Sequence, residues 1–188
     1  MPTREDALIL LNQWITKPGL LGHSLAVEAA MRTCAAKFGG NPEEWGICGL
    51  LHDMDYEKFP LPDGTAQTGH PFEGVKVLRT KGYPASVIEA ILGHATYSGT
   101  PRVTPLAKCL FACDELCGFL VAIAYMRPDK LAGITPEVVA KYLKKKKFAE
   151  KVSREEIAQG IAELGVPTEE HYATVTRALQ GISQELGF

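Results

Sequence analysis

The chain has 188 residues, enough for one domain with a substantial core or for one domain with an appended subdomain. A composition of 46% hydrophobic and 22% charged residues is that of a globular protein and excludes a disordered chain. The net charge of −2 gives no overall attraction to nucleic acid or to an anionic membrane. No apolar run approaches the roughly 20 residues that span a bilayer, and the polar start does not resemble a signal peptide. These features predict a cytoplasmic protein without a membrane segment.

Helical spacing of apolar residues dominates the first half of the chain. Thr3 is the predicted N-cap of a first helix. A second helix carries His23 and stops at Gly39-Gly40. Asn41-Pro42 followed by two acidic residues is a strong start signal for a third helix. That helix delivers the adjacent pair His52-Asp53 at its C-terminal end.

Further helices are predicted from Pro71 and from Pro84, the second of which reaches His94. Thr104-Pro105 opens the most apolar helix, which runs from residue 106 to about 125 and contains Asp114. Two segments, 59–69 and 97–105, are predicted loops, and the first is rich in Pro and Gly as an active-site loop often is. Three more helices are predicted to begin near Thr135, Ser153 and Thr168. No alternating strand pattern is found, so the predicted fold class is all-α.

Three of the five cysteines recur at every fourth residue, so Cys109, Cys113 and Cys117 lie on one face of the predicted apolar helix. An odd count without a secretion signal favours reduced thiols. The sequence has no Cys-x-x-Cys pair of the kind that builds a thiolate zinc site. We interpret these cysteines as small buried apolar residues.

Four of the five histidines form one ordered series with two aspartates, and His171 lies outside it. Imidazoles and carboxylates hold catalytic divalent metals with open coordination positions. Packed antiparallel helices can bring such side chains together. Each residue taken alone also fits a structural role, as a helix-end, loop or surface residue. The members of the series are His23, His52, Asp53, His70, His94 and Asp114.

Asp114 is the sharpest clue in this series. It lies in the apolar segment Leu-Phe-Ala-Cys-Asp-Glu-Leu, where an ionised carboxylate is costly to bury unless a cation or another partner satisfies it. Its structural alternative is an exposed place on the polar side of an amphipathic helix. Together with the histidines, the segment favours a metal site.

The order H…HD…H…H…D, with Leu50-Leu51-His52-Asp53 and His70-Pro71-x-Glu73-Gly74, resembles the HD-domain superfamily of metal-dependent phosphohydrolases. The resemblance covers roughly residues 20–125, and the remainder is similar to a small bacterial branch of HD-domain hydrolases. It implies an HD-domain helical bundle, 1–126, that holds the metal, with a C-terminal helical extension, 127–188, packed on this core.

By the same resemblance, His23, His52, Asp53 and Asp114 hold a first metal. His70 and His94 hold a second, with Asp53 bridging the two, and His52 and Asp53 are the catalytic residues. Ligands of nitrogen and oxygen without sulfur suit Mn²⁺, Fe²⁺, Co²⁺, Ni²⁺ or Mg²⁺ better than a structural zinc site, although zinc stays open. Whether one or two ions bind also stays open. Glu73, one turn after His70, is the predicted partner that orients its ring.

Phosphate recognition needs cations near the metals. Lys58, Arg79, Arg102 and Arg127 lie in or beside the loops that should rim the site, and we predict them as substrate-binding residues. The run from Lys144 to Lys147 is interpreted as a solvated helix end, with phosphate binding as its alternative. Few aromatic residues interleave with this run, so no nucleic-acid partner is expected.

The leading functional interpretation is a divalent-metal-dependent phosphohydrolase acting on a small phosphomonoester or nucleotide through a metal-activated water. A second is a di-iron oxygenase, because HD-fold proteins similar to inositol oxygenase use the same six ligands. The third is a non-catalytic regulatory module that binds metal for stability. The sequence leaves the oligomeric state open, with a homodimer among the options.

Overall fold

A computed structural model describes residues 1–60 and 67–188. Within these ranges the chain is helical and has no strand, which confirms the predicted all-α fold. A short 3₁₀ turn, Thr96–Ser98, separates the fifth and sixth α-helices. In chain order the α-helices are α1 (Arg4–Trp14), α2 (Pro18–Phe38), α3 (Pro42–Leu51), α4 (Phe72–Thr80), α5 (Ala85–His94), α6 (Pro105–Met126), α7 (Pro136–Leu143), α8 (Arg154–Leu164) and α9 (Thr168–Gly181).

Local capping sets the start of most of these helices. Thr3 and Asp6 form a reciprocal capping box, in which each side chain accepts a hydrogen bond from the other residue's backbone N–H. The side chain of Asn41 accepts from backbone N–H groups at the start of α3, and Thr104 does the same for α6. Caps of this kind typically contribute about 1 kcal/mol each. The predicted starts are confirmed, as is the end of α2 at Gly39, whose φ is 70°.

Helix α6 forms the centre of the bundle. Helices α2, α5 and α8 pack on it, and α3 packs on α2. By length and composition alone α6 could cross a membrane, so the expectation that no apolar run approaches that length is wrong. In the fold, however, 61% of its most apolar window is buried against other helices. The core helix of a globular protein passes the same test of length and hydropathy.

The cysteines lie in this core. All five are buried and unpaired in the described parts of the chain. Cys34 of α2 places its Sγ 3.7 Å from the Sγ of Cys113, so the thiols pack where α2 and α6 meet. Burial raises the pKa of the Cys117 thiol and keeps it protonated. The interpretation of these cysteines as small buried residues is confirmed.

The helices that follow α6 pack back on those that precede it. Helix α8 crosses α6 closely, because a Cβ added to Gly160 would lie only 2.7 Å from the Cα of Ala112. Helix α9 packs on α2 and α6, and Nε2 of its buried His171 lies 2.9 Å from the carbonyl oxygen of Ala112. His171 therefore makes a structural contact away from the other histidines. The boundary between 1–126 and 127–188 stays a prediction.

Hydrogen bonds hold the described parts of the two predicted loops. Of the first, 59–69, the stretch 61–66 lies outside the described residues. At its ends the backbone N–H of His70 donates to the carbonyl oxygen of Phe59 over 2.8 Å. The second, 97–105, begins within the Thr96–Ser98 turn, which the Ser98 hydroxyl ties to the carbonyl oxygen of Leu92 over 2.6 Å.

Candidate metal centre

Five elements of the bundle bring the six residues of the histidine and aspartate series together. His23 lies near the start of α2, and Asp114 lies in the middle of α6. His52 caps the C-terminal end of α3, and Asp53 follows in the turn. The remaining two histidines lie at helix ends, His70 just before α4 and His94 as the last residue of α5.

The first group of facing atoms comes from α2, α3 and α6. Nε2 of His23 lies 3.0 Å from Oδ1 of Asp114 and 3.2 Å from Nε2 of His52. Nε2 of His52 lies 3.3 Å from the same Asp114 oxygen. Atoms bound at about 2.1 Å to one ion lie about 3.0–3.4 Å apart, so these three distances fit a shared ion.

The second group comes from the loop before α4 and the end of α5. Nε2 of His70 lies 3.1 Å from Nε2 of His94. Oδ1 of Asp53 lies 3.3 Å from each of these two nitrogens. Two imidazole nitrogens facing each other at this distance repel unless a proton or a cation lies between them. The spacing again matches atoms that share one ion.

Asp53 lies between the two groups. Its Oδ1 faces His70 and His94 and is also 3.5 Å from Nε2 of His52, whereas its Oδ2 is 3.8 Å from Nε2 of His23. Each carboxylate oxygen therefore faces a different set of imidazoles. This is the position that a bridging carboxylate would occupy between two ions.

The Nδ1 atoms of three histidines point away from the centre to acceptors of the protein. Nδ1 of His52 donates to the carbonyl oxygen of Gly49 over 2.7 Å, and Nδ1 of His94 donates to that of Ile91 over 2.5 Å. An N–H at Nδ1 leaves the lone pair on Nε2, which is the atom that faces the centre. The backbone at the ends of α3 and α5 therefore holds both rings in a tautomer suited to metal binding.

The ring of His70 is held in the same tautomer by a carboxylate. Its Nδ1 donates to Oδ1 of Asp55 over 2.7 Å, and Oδ2 of Asp55 accepts the backbone N–H of Gly74 over 2.6 Å. The prediction that Glu73 orients His70 is wrong, because Glu73 pairs with Lys76 on the surface of α4. Asp55 is fully buried, and the sequence shows it only as a second aspartate two residues after Asp53.

The charges of the site reinforce one another. Burial opposes protonation of His52, yet the carboxylates of Asp53 and Asp114 raise the pKa of its imidazole to about 9. Burial likewise opposes ionisation of Asp114, but His52 and His23 hold its pKa well below the usual range. Burial also opposes ionisation of Asp53, but the charge of His52 lowers its pKa, so both aspartates are ionised at neutral pH. A divalent cation would compete with protons for the imidazoles.

The donor set fits a divalent metal. Four imidazole nitrogens and two carboxylates meet at coordination spacing, without sulfur, since the buried thiols face other parts of the core. Two sets of atoms lie mutually within 4.8 Å: one from His23, His52 and Asp114, the other from His52, Asp53 and His94. Mixed nitrogen and oxygen donors suit Mn, Fe, Co, Ni or Zn, and Mg less well because it prefers oxygen.

The centre opens into a cavity of about 400 Å³. Tyr56 and Tyr97 wall one side, where the Tyr97 hydroxyl donates to the carbonyl oxygen of His70 over 3.1 Å. Lys151 and Glu156 reach the cavity from the segment around the start of α8, where Glu156 accepts a hydrogen bond from the Thr96 hydroxyl over 3.3 Å. Predictions from sequence missed these four residues because nothing local links them to the histidine series.

Glu115 also lines the cavity, beside Asp114 on α6. Burial and the neighbouring Asp114 charge raise the pKa of Glu115 to about 7. Its carboxylate accepts the backbone N–H of Ser153 over 3.0 Å, which ties the segment before α8 to the centre. This contact places Lys151, two residues earlier, over the cavity.

The four cations predicted to bind substrate do not line this cavity in the described parts of the chain. Nζ of Lys58 donates to the carbonyl oxygen of Gln13 over 3.0 Å, and Arg79 is exposed on α4. The guanidinium of Arg102 pairs with Glu163 at 2.7 Å, and that of Arg127 pairs with Asp129 at 2.6 Å. Lys58, Arg102 and Arg127 therefore each bind another group of the protein outside the cavity.

Fold and site together define an all-helical protein with a centre of histidines and aspartates built to hold divalent metal. A family model described as "HD domain" matches residues 20–118, more than half of the chain. The chain therefore belongs to the HD-domain family, and all six residues of the centre lie within the matched range. Comparison with curated proteins and with solved structures finds no match.

Proposed function

We propose that the protein is a divalent-metal-dependent phosphohydrolase acting on a small phosphomonoester or nucleotide. The observation that carries the proposal is the place of Asp53, whose two oxygens face different imidazoles across the centre. His23, His52, Asp53 and Asp114 would hold one ion. His70 and His94 would hold a second, with Asp53 shared. When bound, such ions polarise a phosphoryl oxygen and lower the pKa of a bound water.

The chain's own groups keep this centre ready for metal. The carbonyl oxygens of Gly49 and Ile91 fix the rings of His52 and His94, and Asp55 fixes that of His70. Fixed rings cost little further ordering when an ion or a substrate arrives. Tyr56 packs edge-on against His70 with ring centroids 5.3 Å apart and screens that ring from water.

Lys151 would hold the phosphate. Among the described residues that line the cavity it is the only lysine or arginine. The remaining ionisable groups there are three histidines, two tyrosines and four carboxylates, so an anionic substrate depends on the metal and on this ammonium. The proposed phosphate-binding role thus passes from Lys58, Arg79, Arg102 and Arg127 to Lys151.

The cysteines bear on localisation. We propose a cytoplasmic protein, because five buried free thiols suit a reducing compartment. The proposed partner is a small phosphorylated metabolite. Neither a nucleic acid nor a membrane is proposed as a partner.

The first test is hydrolysis of a panel of phosphomonoesters, phosphodiesters and nucleotides with added Mn²⁺, Co²⁺, Ni²⁺ or Mg²⁺. We expect turnover of a monoester that is lost in Asp53→Ala. It should be retained in Asp129→Ala, which changes an exposed aspartate that pairs with Arg127 outside the cavity. Absence of turnover with every metal would contradict the proposal. Iron content and O₂ uptake would then test the di-iron oxygenase alternative.

The role of Lys151 has its own test. Lys151→Met should raise KM for the monoester more than tenfold, because a charge-assisted bond to the phosphate is lost. Lys147→Met, a neighbouring exposed lysine outside the cavity, serves as the matched control. Equal kinetics in the two variants would contradict the assignment.

A further inference from the structure

A second cavity adjoins the metal centre on the side of α2. It has a volume of about 490 Å³ and lies between the first turns of α2, the C-terminal half of α6 and the terminal turn at 185–187. This volume is within the range of small-molecule binding sites. We call it the α2–α6 groove.

The groove adjoins the metal cavity, because His23 and Gly118 line both. A Cβ added to Gly118 would lie 3.9 Å from Nδ1 of His23, so the imidazole of His23 and the backbone of Gly118 form the boundary between the two cavities. We take this shared boundary as the place where a molecule whose phosphate lies at the metal centre extends its other end into the groove.

Glycines of α2 leave the groove open. Gly19 and Gly22 both line it, and a Cβ added to either would meet no atom within 4 Å. Glycine inside a helix costs about 0.5–1 kcal/mol relative to alanine. Packing within the chain does not require glycine at these two positions. The free space in front of them is available to a ligand.

The lining of the groove selects the chemistry of that ligand. Most of its side chains are aliphatic, among them Leu21, Leu25, Val121 and Leu186. The polar side chains are those of His23, Tyr125 and Glu185. A sugar or a nucleobase needs several hydrogen-bond partners when it leaves water, and the groove offers few. The carboxylate of Glu185 also repels a second anionic group.

His23 differs from the other histidines of the centre in a way that fits this arrangement. Nδ1 of His52, His70 and His94 each donates to an acceptor of the protein. No hydrogen bond joins Nδ1 of His23 to any other residue in the described part of the chain. That atom lies on the groove side, next to Gly118.

We infer that the substrate is a phosphate monoester of an apolar alcohol, with the phosphate at the metal centre and the aliphatic or aromatic group in the α2–α6 groove. The inference rests on the proposed function and narrows it. It separates this substrate class from sugar phosphates and nucleotides. Burial of each methylene in the groove strengthens binding by up to about fourfold.

Binding of non-hydrolysable analogues tests the inference without requiring turnover. Methylphosphonate, hexylphosphonate and 2,3-dihydroxypropylphosphonate would be titrated calorimetrically into the Mn²⁺-loaded protein. We expect hexylphosphonate to bind at least tenfold more tightly than either of the others. Equal affinity of hexylphosphonate and methylphosphonate would overturn the inference.

Parallel hydrolysis of the matching phosphate esters separates this inference from the proposed function. If all esters are hydrolysed with equal kcat/KM and none is preferred in binding, the inferred role of the groove is wrong and the proposed phosphohydrolase function is still supported. If the hexyl compound binds preferentially but no ester is hydrolysed, the groove binds an apolar group as inferred and the proposed phosphohydrolase function is wrong.

A variant locates the effect in the groove. Gly22→Leu fills the space in front of α2 and should reduce the ratio of hexyl to methyl affinity to less than threefold. Gly181→Leu places the same side chain at a helical glycine that also has no neighbour within 4 Å, outside both cavities, and should keep the ratio. Metal content of both proteins checks that His23 still binds. An unchanged ratio in Gly22→Leu would overturn the inference.

Discussion

His70 and Asp55 form a buried hydrogen bond in which Nδ1 of the imidazole donates to Oδ1 of the carboxylate over 2.7 Å. The other oxygen of Asp55 accepts the N–H of Gly74 in the first turn of α4. One carboxylate thus positions both a histidine of the centre and the helix that follows it. Asp55 therefore influences metal binding indirectly, through the position of His70, and this influence can be measured.

Asp55→Asn should weaken metal binding by about 10- to 100-fold, the usual effect of removing a partner that orients a histidine ligand. An amide cannot accept from both His70 and Gly74 with the same strength, because one of its two atoms is a donor. The measurement is a competitive titration of Mn²⁺ or Co²⁺ against a chelating dye. Asp129→Asn, at an exposed aspartate, is the control, and equal affinities in the two variants would refute a positioning role.

Metal should stabilise the folded chain. A ligand present at 100 times its Kd adds about 2.7 kcal/mol to the free energy of unfolding. For a chain of this size that corresponds to a rise in Tm of about 5–10 °C. Thermal unfolding with Mn²⁺ or with chelator would measure it. Asp114→Ala should lose most of the shift relative to its own chelated state, whereas a full shift in this variant would argue against Asp114 as a ligand.

Gly160 allows α8 to approach α6. Gly160→Ala should reduce the free energy of unfolding by about 1–3 kcal/mol, because the new methyl group meets the backbone of Ala112, which cannot move aside as a side chain can. Gly181→Ala, at a helical glycine with open space, should be neutral or slightly stabilising. Urea unfolding of both variants provides the comparison. Equal stability of the two variants would show that α6 and α8 can move apart to accommodate the methyl group at little cost.

His171 should make stability depend on pH. Burial lowers the pKa of its imidazole below the unfolded value of about 6.5, so the unfolded state binds more protons. The stability that the neutral His171 contributes is fully present above pH 6.5 and is lost as the pH falls below this value. The loss in the free energy of unfolding is at most about 1.4 kcal/mol at pH 5.5. Lys37 lowers the pKa further.

Urea unfolding at pH 7.5 and 5.5, with chelator present, would measure this loss. His171→Gln keeps a side-chain N–H for the carbonyl oxygen of Ala112 and has no charge to gain, so its loss should be smaller. Because every other titratable group is the same in both proteins, only the difference between their losses counts. An equal loss of stability in both proteins would show that His171 does not cause the pH dependence.

Much of the fold could be predicted because its signals are local. The cap at Thr3 joins residues three apart, and the start at Asn41 needs only its own side chain and the next turn. The series of histidines and aspartates could also be predicted as a group, since each member lies at a helix end or on an apolar helix. The structure brings all six together.

The rest depended on contacts between distant segments. Arg102 was predicted beside the site from its loop, but its partner Glu163 lies 61 residues later on α8. Lys151 reaches the cavity because Ser153 is tied to Glu115, a contact across 38 residues. Asp55 meets His70 only because the chain returns past α3. No local pattern encodes such pairings.

The order of the six residues along the chain has a consequence for biosynthesis. A nascent chain emerges from its amino end, so His52, Asp53, His70 and His94 are available before Asp114 has been made. The group around Asp53 can thus be completed while α6 is still being synthesised. The group of His23, His52 and Asp114 closes only after the central helix has inserted between its neighbours. Occupancy of that later position would therefore report that α6 has packed against α2 and α3.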